Sequence, residues 1–326
     1  MKLLCVAGSR GERARLAPVV QCLEGEHDIV CAYVSCAGEV PTWDLTAPPP
    51  PDWGLEIEDP TPASRVGSVL RWSESLLAEG RFDLLLTCGE SDMAVGAAIA
   101  ACLAEVTIAH LDAGVMLDPA NPNARLLDQA AAFLLAPHLE AVQRLAARGM
   151  EDAAYLCGDT LADSPPVAGV ASGAADGCLC YLAGVAVGPA VLPAVLAALR
   201  RLPMAVTMPA GPRAQALLAA AGLPRGNLAV VEPLDYAPLQ EAVARAALVI
   251  TDSATLQREA YFRGTVAIGL APADFPDGER TGWVRPVAVD EDAIIAAAQA
   301  PPPPHPPEIE GQRGAALRAA QFLTAS

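Results

Sequence analysis

Short runs of Leu, Val, Ile, Ala and Cys alternate with longer amphipathic segments along this 326-residue chain. Runs that are apolar at successive positions suit strands buried on both faces, and periodic segments between them suit covering helices. In the first half this pattern predicts strands at residues 2–7, 28–35, 82–87, 106–111, 132–136 and 154–156, with helices at 12–23, 63–79, 92–104, 123–131 and 139–148. The rhythm then breaks: Pro, Gly, Ala and Ser dominate residues 164–177, with neither period present. It resumes with strands at 178–184, 204–208, 228–231, 248–251 and 265–270 and helices at 189–201, 213–221, 238–246 and 255–263. Strand–helix alternation of this kind predicts an α/β chain of two Rossmann-like, doubly wound parallel-sheet domains. The domains are expected at residues 1–165 and 178–310, joined by a linker at 166–177, with residues 311–326 a terminal helix packing back on the first domain. The proline tracts at 48–51 and 301–304 are read as extended loops.

Composition and charge sharpen the picture. Hydrophobic residues make up 53% of the chain and aromatic residues 4%, so the cores are filled by Ala, Leu and Val. Nine cysteines without a CxxC pair argue for buried thiols in a reducing, cytoplasmic compartment over a zinc or disulfide framework. No leader or membrane span is expected, because the apolar run after Met1-Lys2 is only of strand length and that near residues 94–104 is broken by Gly96. A net charge of −17 with a single Lys argues against a nucleic-acid partner. It leaves room for one small diphosphate, because charges beyond about 8 Å are largely screened and local arginines and helix N-termini act at short range.

Open parallel sheets bind ligands beyond the carboxyl ends of their strands, which makes the strand exits the informative positions. The first exit, Gly8-Ser9-Arg10-Gly11-Glu12, is a glycine-flanked turn opening a helix, where amides and the Arg10 guanidinium meet a phosphate or a uracil. Two further exits carry the carboxylates of Glu90 and Asp112, a pair suited to divided acid and base roles; the alternative is that such residues only cap helices and satisfy loop amides. In the second half, Thr251-Asp252-Ser253-Ala254-Thr255 leads into a helix bearing Arg258 and Glu259, an arrangement suited to a pyrophosphate, with Glu259 one turn in for a ribose diol. Arg213, following another strand, is a further candidate for the diphosphate.

Together these segments resemble the non-hydrolysing UDP-N-acetylglucosamine 2-epimerase family. GSRGERARLAPVV is similar to its G-T-R-P-E-x-x-x-x-A-P opening, with Arg10 and Glu12 in register, and LLLTCGESDMAVGAAIAACLAEVTIAHLDAGV is similar to its G-D-T…H-V-E-A-G stretch. DPANPNARLLDQAAAFLLAPHLEAVQRLAARG resembles its P-E-E-x-N-R-x-x-x-D…A-P segment, and VVEPLDYAPLQEAVARAALVITDSATLQREAYFRGTVAI its P-L-x-Y…D-S-G-G-x-Q-E-E-A block. The resemblance implies the glycosyltransferase-B arrangement of two Rossmann-like domains facing across a cleft. It also implies inversion at C2 of a UDP-sugar by elimination and re-addition of UDP, with no metal and no nicotinamide. Arg10, Ser253 and Glu259 would hold UDP, and Glu90 and Asp112 would belong to the proton-handling carboxylates. Family members commonly form homodimers.

Departures are equally specific. An acidic position before N-R is occupied by Ala120-Asn121-Pro122, the H-R-x-E-N turn is replaced by Leu182-Ala183-Gly184-Val185, and Ala254-Thr255 stand in place of the glycine pair. Glu90 and Asp112 have exchanged side-chain lengths relative to the family. His138, at the exit of the strand ending at Ala136, is the candidate to replace the lost histidine. These losses keep three readings in play: an epimerase-like enzyme with altered substrate or hydrolytic outcome, a catalytically silent nucleotide-sugar binder, and a glycosyltransferase on the same fold.

Overall fold

A computed structural model of the chain describes residues 1–36, 52–59, 61–165, 177–183, 187–221, 226–309 and 312–325. Two compact units result, one from described residues within 1–164 plus 312–325, the other from those within 165–309. The proline tract at 48–51 and most of the expected linker, 166–176, lie outside the described residues.

The first unit is a seven-stranded sheet in the order β3-β2-β1-β4-β5-β6-β7. Its strands are β1 (Lys2–Ala7), β2 (Asp28–Cys36), β3 (Trp53–Ile57), β4 (Leu84–Cys88), β5 (Thr107–Leu111), β6 (Phe133–Ala136) and β7 (Ala154–Leu156). All neighbouring pairs are parallel. The crossovers are α1 (Arg10–Leu23), α2 (Pro62–Gly80), α3 (Asp92–Leu103), α4 (Asn123–Ala130) and α5 (Leu139–Ala146). Leu4, Val6 and Leu85 face α2 and α3, while Leu3, Cys5 and Leu86 face α1, so the unbroken apolar runs serve two cores at once.

The α3 helix (DMAVGAAIAACL) is buried over most of its surface, and small residues are what let α2 approach it. A Cβ added at Gly96 would lie 2.7 Å from the Val66 carbonyl oxygen and 2.9 Å from Val69 Cβ. The terminal helix, α12 (Ala315–Ala325), packs Ala316, Ala319, Ala320 and Leu323 into the same core as Leu16, Val19 and Val20 of α1. Its start is fixed by Asp163, whose carboxylate accepts from the amides of Gly314 (2.6 Å) and Ala316 (2.8 Å).

In the second unit the order is β10-β9-β8-β11-β12-β13, again all parallel. These strands are β8 (Cys178–Tyr181), β9 (Val206–Pro209), β10 (Leu228–Val231), β11 (Leu248–Thr251), β12 (Val266–Gly269) and β13 (Val284–Pro286). The helices are α6 (Leu192–Arg201), α7 (Pro212–Ala221), α8 (Tyr236–Arg245), α9 (Ala254–Phe262), α10 (Pro276–Thr281) and α11 (Glu291–Gln299). Cys178 and Cys180 share the face packed on α6, with Leu179 on the other, as the period of two requires.

Relative to the sequence reading, β3, β13, α10 and α11 are additional, and the strand expected at 204–208 begins at Val206. Each sheet reverses its strand order once, between β1 and β4 in the first unit and between β8 and β11 in the second. At such a switch point adjacent crossovers leave in opposite directions and open a crevice at the carboxyl edge. No described helix is long and apolar enough to cross a membrane.

Candidate active site

The first unit's switch point is built around the carboxylate of Glu12. Ser9 caps α1, its Oγ accepting from the Glu12 amide at 3.1 Å. The Glu12 side chain turns back so that Oε2 accepts from the Gly8 amide (2.6 Å) and Ser91 Oγ (3.1 Å), and Oε1 from the Ser91 amide (3.3 Å). One buried carboxylate thereby ties the exits of β1 and β4 together. Burial pushes its pKa up, against the opposing pull of the Gly8 amide and of Arg15.

Arg15, one turn beyond Glu12, forms a buried ion pair through Nη1 with Asp112 Oδ2 at the β5 exit. Burial alone would lower the arginine pKa, but Cys88, Asp112 and Glu12 around it hold it above its ordinary value. Asp112 sits in the left-handed region at φ 64°, a conformation costing a non-glycine residue about 1–2 kcal/mol. Its carboxylate is committed to Arg15, whereas Glu90 is differently placed. The Glu90 side chain is half-buried, and burial pushes its pKa from the ordinary 4.5 up to about 7. Asp118 adds to that rise, while the Asn121 side chain, the Leu117 amide and Arg15 oppose it. Glu90 Oε2 is buried with no hydrogen-bond partner among the described residues.

Gly89, at φ 76°, makes this crowding possible: a Cβ there would meet Glu12 Oε1 at 3.0 Å and Arg15 Nη2 at 3.3 Å. The other predicted members of the unit lie at neighbouring exits. Arg10 opens α1 at the β1 exit, and His138 follows β6 as the N-cap of α5, its Nδ1 accepting from the Ala141 amide at 3.1 Å. Capping uses the neutral imidazole's lone pair, so the ring's proton is carried on Nε2 in that arrangement.

In the second unit the switch point has its own carboxylate tie. Asp252, fully buried after β11, accepts from the Ala183 amide (2.6 Å) and the Val187 amide (3.3 Å) beyond β8. Ser253 caps α9, its Oγ accepting from the Leu256 amide at 3.2 Å, which leaves Ala254 and Thr255 as the first residues of the helix. Glu259 accepts from Tyr236 Oη at 2.8 Å. Arg213 is the second residue of α7, after the β9 exit.

The structure thus groups Arg10, Glu12, Glu90 and Asp112 at one carboxyl edge and Asp252, Ser253, Ala254, Thr255 and Glu259 at the other. Arg15, Ser91 and Tyr236 were not singled out by sequence reasoning. Arg15 was the legible one, as a lone charge within the otherwise apolar stretch Ala14–Val20. Among the described residues, no cluster of three His, Cys, Asp or Glu side chains is placed to hold a metal ion.

A sequence profile described as UDP-N-acetylglucosamine 2-epimerase matches residues 25–171 and 189–304, most of both units. The chain belongs to the UDP-N-acetylglucosamine 2-epimerase family. Among curated relatives, it is 27% identical over 273 residues to UDP-2,3-diacetamido-2,3-dideoxy-D-glucuronate 2-epimerase of Pseudomonas aeruginosa, covering 77% of this chain and 74% of the relative. A probable UDP-N-acetylglucosamine 2-epimerase of Ralstonia nicotianae is 25% identical over 341 residues, covering 91% and 89%. The fold is that of the Methanocaldococcus jannaschii UDP-GlcNAc 2-epimerase solved with UDP-GlcNAc and UDP (TM-score 0.84, 21% identity, 100% of both chains). It is equally that of the Neisseria meningitidis epimerase bound to UDP-GlcNAc (TM-score 0.85, 17% identity, 100% of both chains). Membership of this family accounts for the ordered motifs at the strand exits.

Proposed function

We propose that the protein is a UDP-sugar 2-epimerase in which Glu90 exchanges the C2 proton. The observation that carries this is a half-buried carboxyl with a pKa of about 7 at the β4 exit of a chain from this family. A general base is most effective when its pKa lies near the working pH, and such a group contributes about 10²- to 10⁴-fold. In the forward step Glu90 takes the proton from C2. The C2–H electrons form the C1=C2 double bond, and the C1–O bond breaks so that UDP leaves with the electron pair. Return of UDP to C1 and of a proton to the opposite face of C2 completes the inversion. Asp112, fixed by Arg15, is the second carboxylate of the set, and Arg10 meets the departing diphosphate.

On the second unit, the Ser253 turn and Glu259 are assigned to the pyrophosphate and ribose, with Arg213 as a further diphosphate contact. Helix N-termini stabilise such anions through unpaired amides and the helix dipole. The first-named relative acts on a diacetamido uronate, which makes this sugar a candidate substrate beside UDP-N-acetylglucosamine. A homodimer belongs to the same proposal: Leu103 on α3 is 73% exposed and Ile99, one turn earlier, is also exposed. So does a cytoplasmic setting, in keeping with Cys5, Cys88, Cys157, Cys178 and Cys180, which form no disulfide among the described residues.

Incubating the protein with each UDP-sugar in deuterated water and following C2 by NMR tests the proposal. Deuterium at C2 together with the 2-epimer is the expected result; no exchange with either sugar refutes it. Binding of UDP without exchange would instead favour the silent nucleotide-sugar binder, the reading supported by the loss of the H-R-x-E-N turn.

A further inference from the structure

His110 precedes the Asp112 turn on β5 and is almost completely buried, as is its partner Asp128. Its Nε2 lies 2.8 Å from the Gly89 carbonyl oxygen, and its Nδ1 lies 2.8 Å from Asp128 Oδ1. A carbonyl oxygen only accepts, so Nε2 donates to Gly89. Asp128 is itself fixed from behind: Arg148 Nη1 donates to Oδ2 at 2.6 Å and the Gly114 amide to Oδ1 at 3.2 Å. This leaves the carboxylate an acceptor toward the ring, so His110 donates at both ends.

The peptide that His110 grips is the one leading into Glu90. The next carbonyl, that of Glu90 itself, accepts from Asn123 Nδ2 at 3.1 Å and Asn121 Nδ2 at 3.4 Å. Both carbonyls flanking the Glu90 α-carbon are therefore held by side chains, from β5 on one side and from Asn121 and the first residue of α4 on the other. The Gly89 amide still donates to the Leu111 carbonyl at 3.2 Å, but the carbonyls of Gly89 and Glu90 are met by side chains, which therefore help decide where the exit points.

We propose that His110, backed by Asp128 and Arg148, is a positioning residue that fixes the Gly89–Glu90 peptide and so the place of the Glu90 carboxylate. This rests on the assignment of Glu90 as the proton-exchanging group and extends it. His110 touches no reacting atom; it acts through the main chain. Misplacing a reacting group by about 1 Å costs on the order of 10²-fold in rate.

Two substitutions separate this role from a general packing role. In His110→Gln the amide nitrogen falls at the place of Nε2 and keeps the bond to Gly89. In His110→Asn it falls at the place of Nδ1, keeping Asp128 but releasing Gly89. The expected result is a fall in kcat of about 10²-fold at unchanged KM for the Asn variant, and a fall of less than about tenfold for the Gln variant. Equal losses in both variants, or a loss confined to Gln, overturn the proposal.

A second readout needs no turnover. With the Glu90 carboxyl followed by ¹³C NMR, releasing Gly89 admits water and moves its titration midpoint down from about 7 in the Asn variant, whereas the Gln variant holds it. An unmoved midpoint in the Asn variant overturns the positioning role. Should the Asn variant fail to fold, the Gln variant decides alone: a displaced Glu90 midpoint there overturns the proposal, and a retained one supports it. If the wild type exchanges no C2 proton while these midpoints behave as stated, the epimerase reading fails and the positioning role stands.

Discussion

Replacing Glu90 by Gln should disable the protein and stabilise it at the same time, with a gain that builds as pH rises from about 4.5 to about 7 and is held above that. The folded chain holds the Glu90 proton with a pKa of about 7 against an ordinary 4.5. Because the folded state binds that proton more tightly, the group's contribution is fully present below about 4.5 and is lost as pH rises through about 7. The interval between the two values corresponds to at most ~3.4 kcal/mol. Glu90 is only partly buried, so solvent screening reduces this to about 1–2 kcal/mol. Gln cannot ionise and escapes that cost. For a unit of this size about 2–4 °C in Tm accompanies each kcal/mol, giving a gain of about 2–8 °C at pH ~8.5 and about a quarter of that at pH ~5. Calorimetry of both proteins at the two pH values is the assay, with C2 proton exchange measured alongside and expected to fall about 10²- to 10⁴-fold. A gain of equal size at both pH values, or a loss at the higher one, would show that Glu90 is not held under an ionisation penalty.

Other consequences are as direct. Arg15→Met leaves Asp112 charged and buried without its partner, so chemical denaturation should show a loss of about 3–5 kcal/mol, most of it recovered in the double variant Arg15→Met/Asp112→Leu. Gly96→Ala drives a methyl group against the Val66 carbonyl of α2, with an expected cost of about 1–3 kcal/mol by the same measurement. Ser253→Ala removes the α9 cap, and a loss of about 1 kcal/mol should accompany weaker binding of UDP in calorimetric titration. Glu259→Gln weakens the acceptor facing Tyr236, and an unchanged UDP affinity would argue against its ribose assignment.

Much of the fold follows from local pattern. The central strands β1, β4, β5, β8 and β11 are buried on both faces, so their apolar runs are long enough to be read without a partner. The sheet edges were less legible. Trp53–Ile57 is largely exposed and Val284–Pro286 has three residues, and each becomes a strand by pairing with a neighbour more than by its own composition. The α11 helix, EDAIIAAAQ, offers only Ile294 and Ile295 as buried large residues, too few to mark a face.

The same division holds at the site. Sequence alone determined which carboxylates and hydroxyls stand at the strand exits, because a strand's end and the next helix's cap are local features. It could not assign their states. Glu90 and Asp112 read alike in sequence, yet Asp112 is neutralised by an arginine 97 residues earlier while Glu90 is half-buried with no ion pair of its own among the described residues. Likewise His110 and Asp128 are separated by 18 residues, and only packing of α4 on β5 and of α5 on β6 and β7 brings them together with Arg148 behind the Glu90 turn. Desolvation and Coulomb terms depend on distance in space, and the chain acquires those distances only when the sheet has closed.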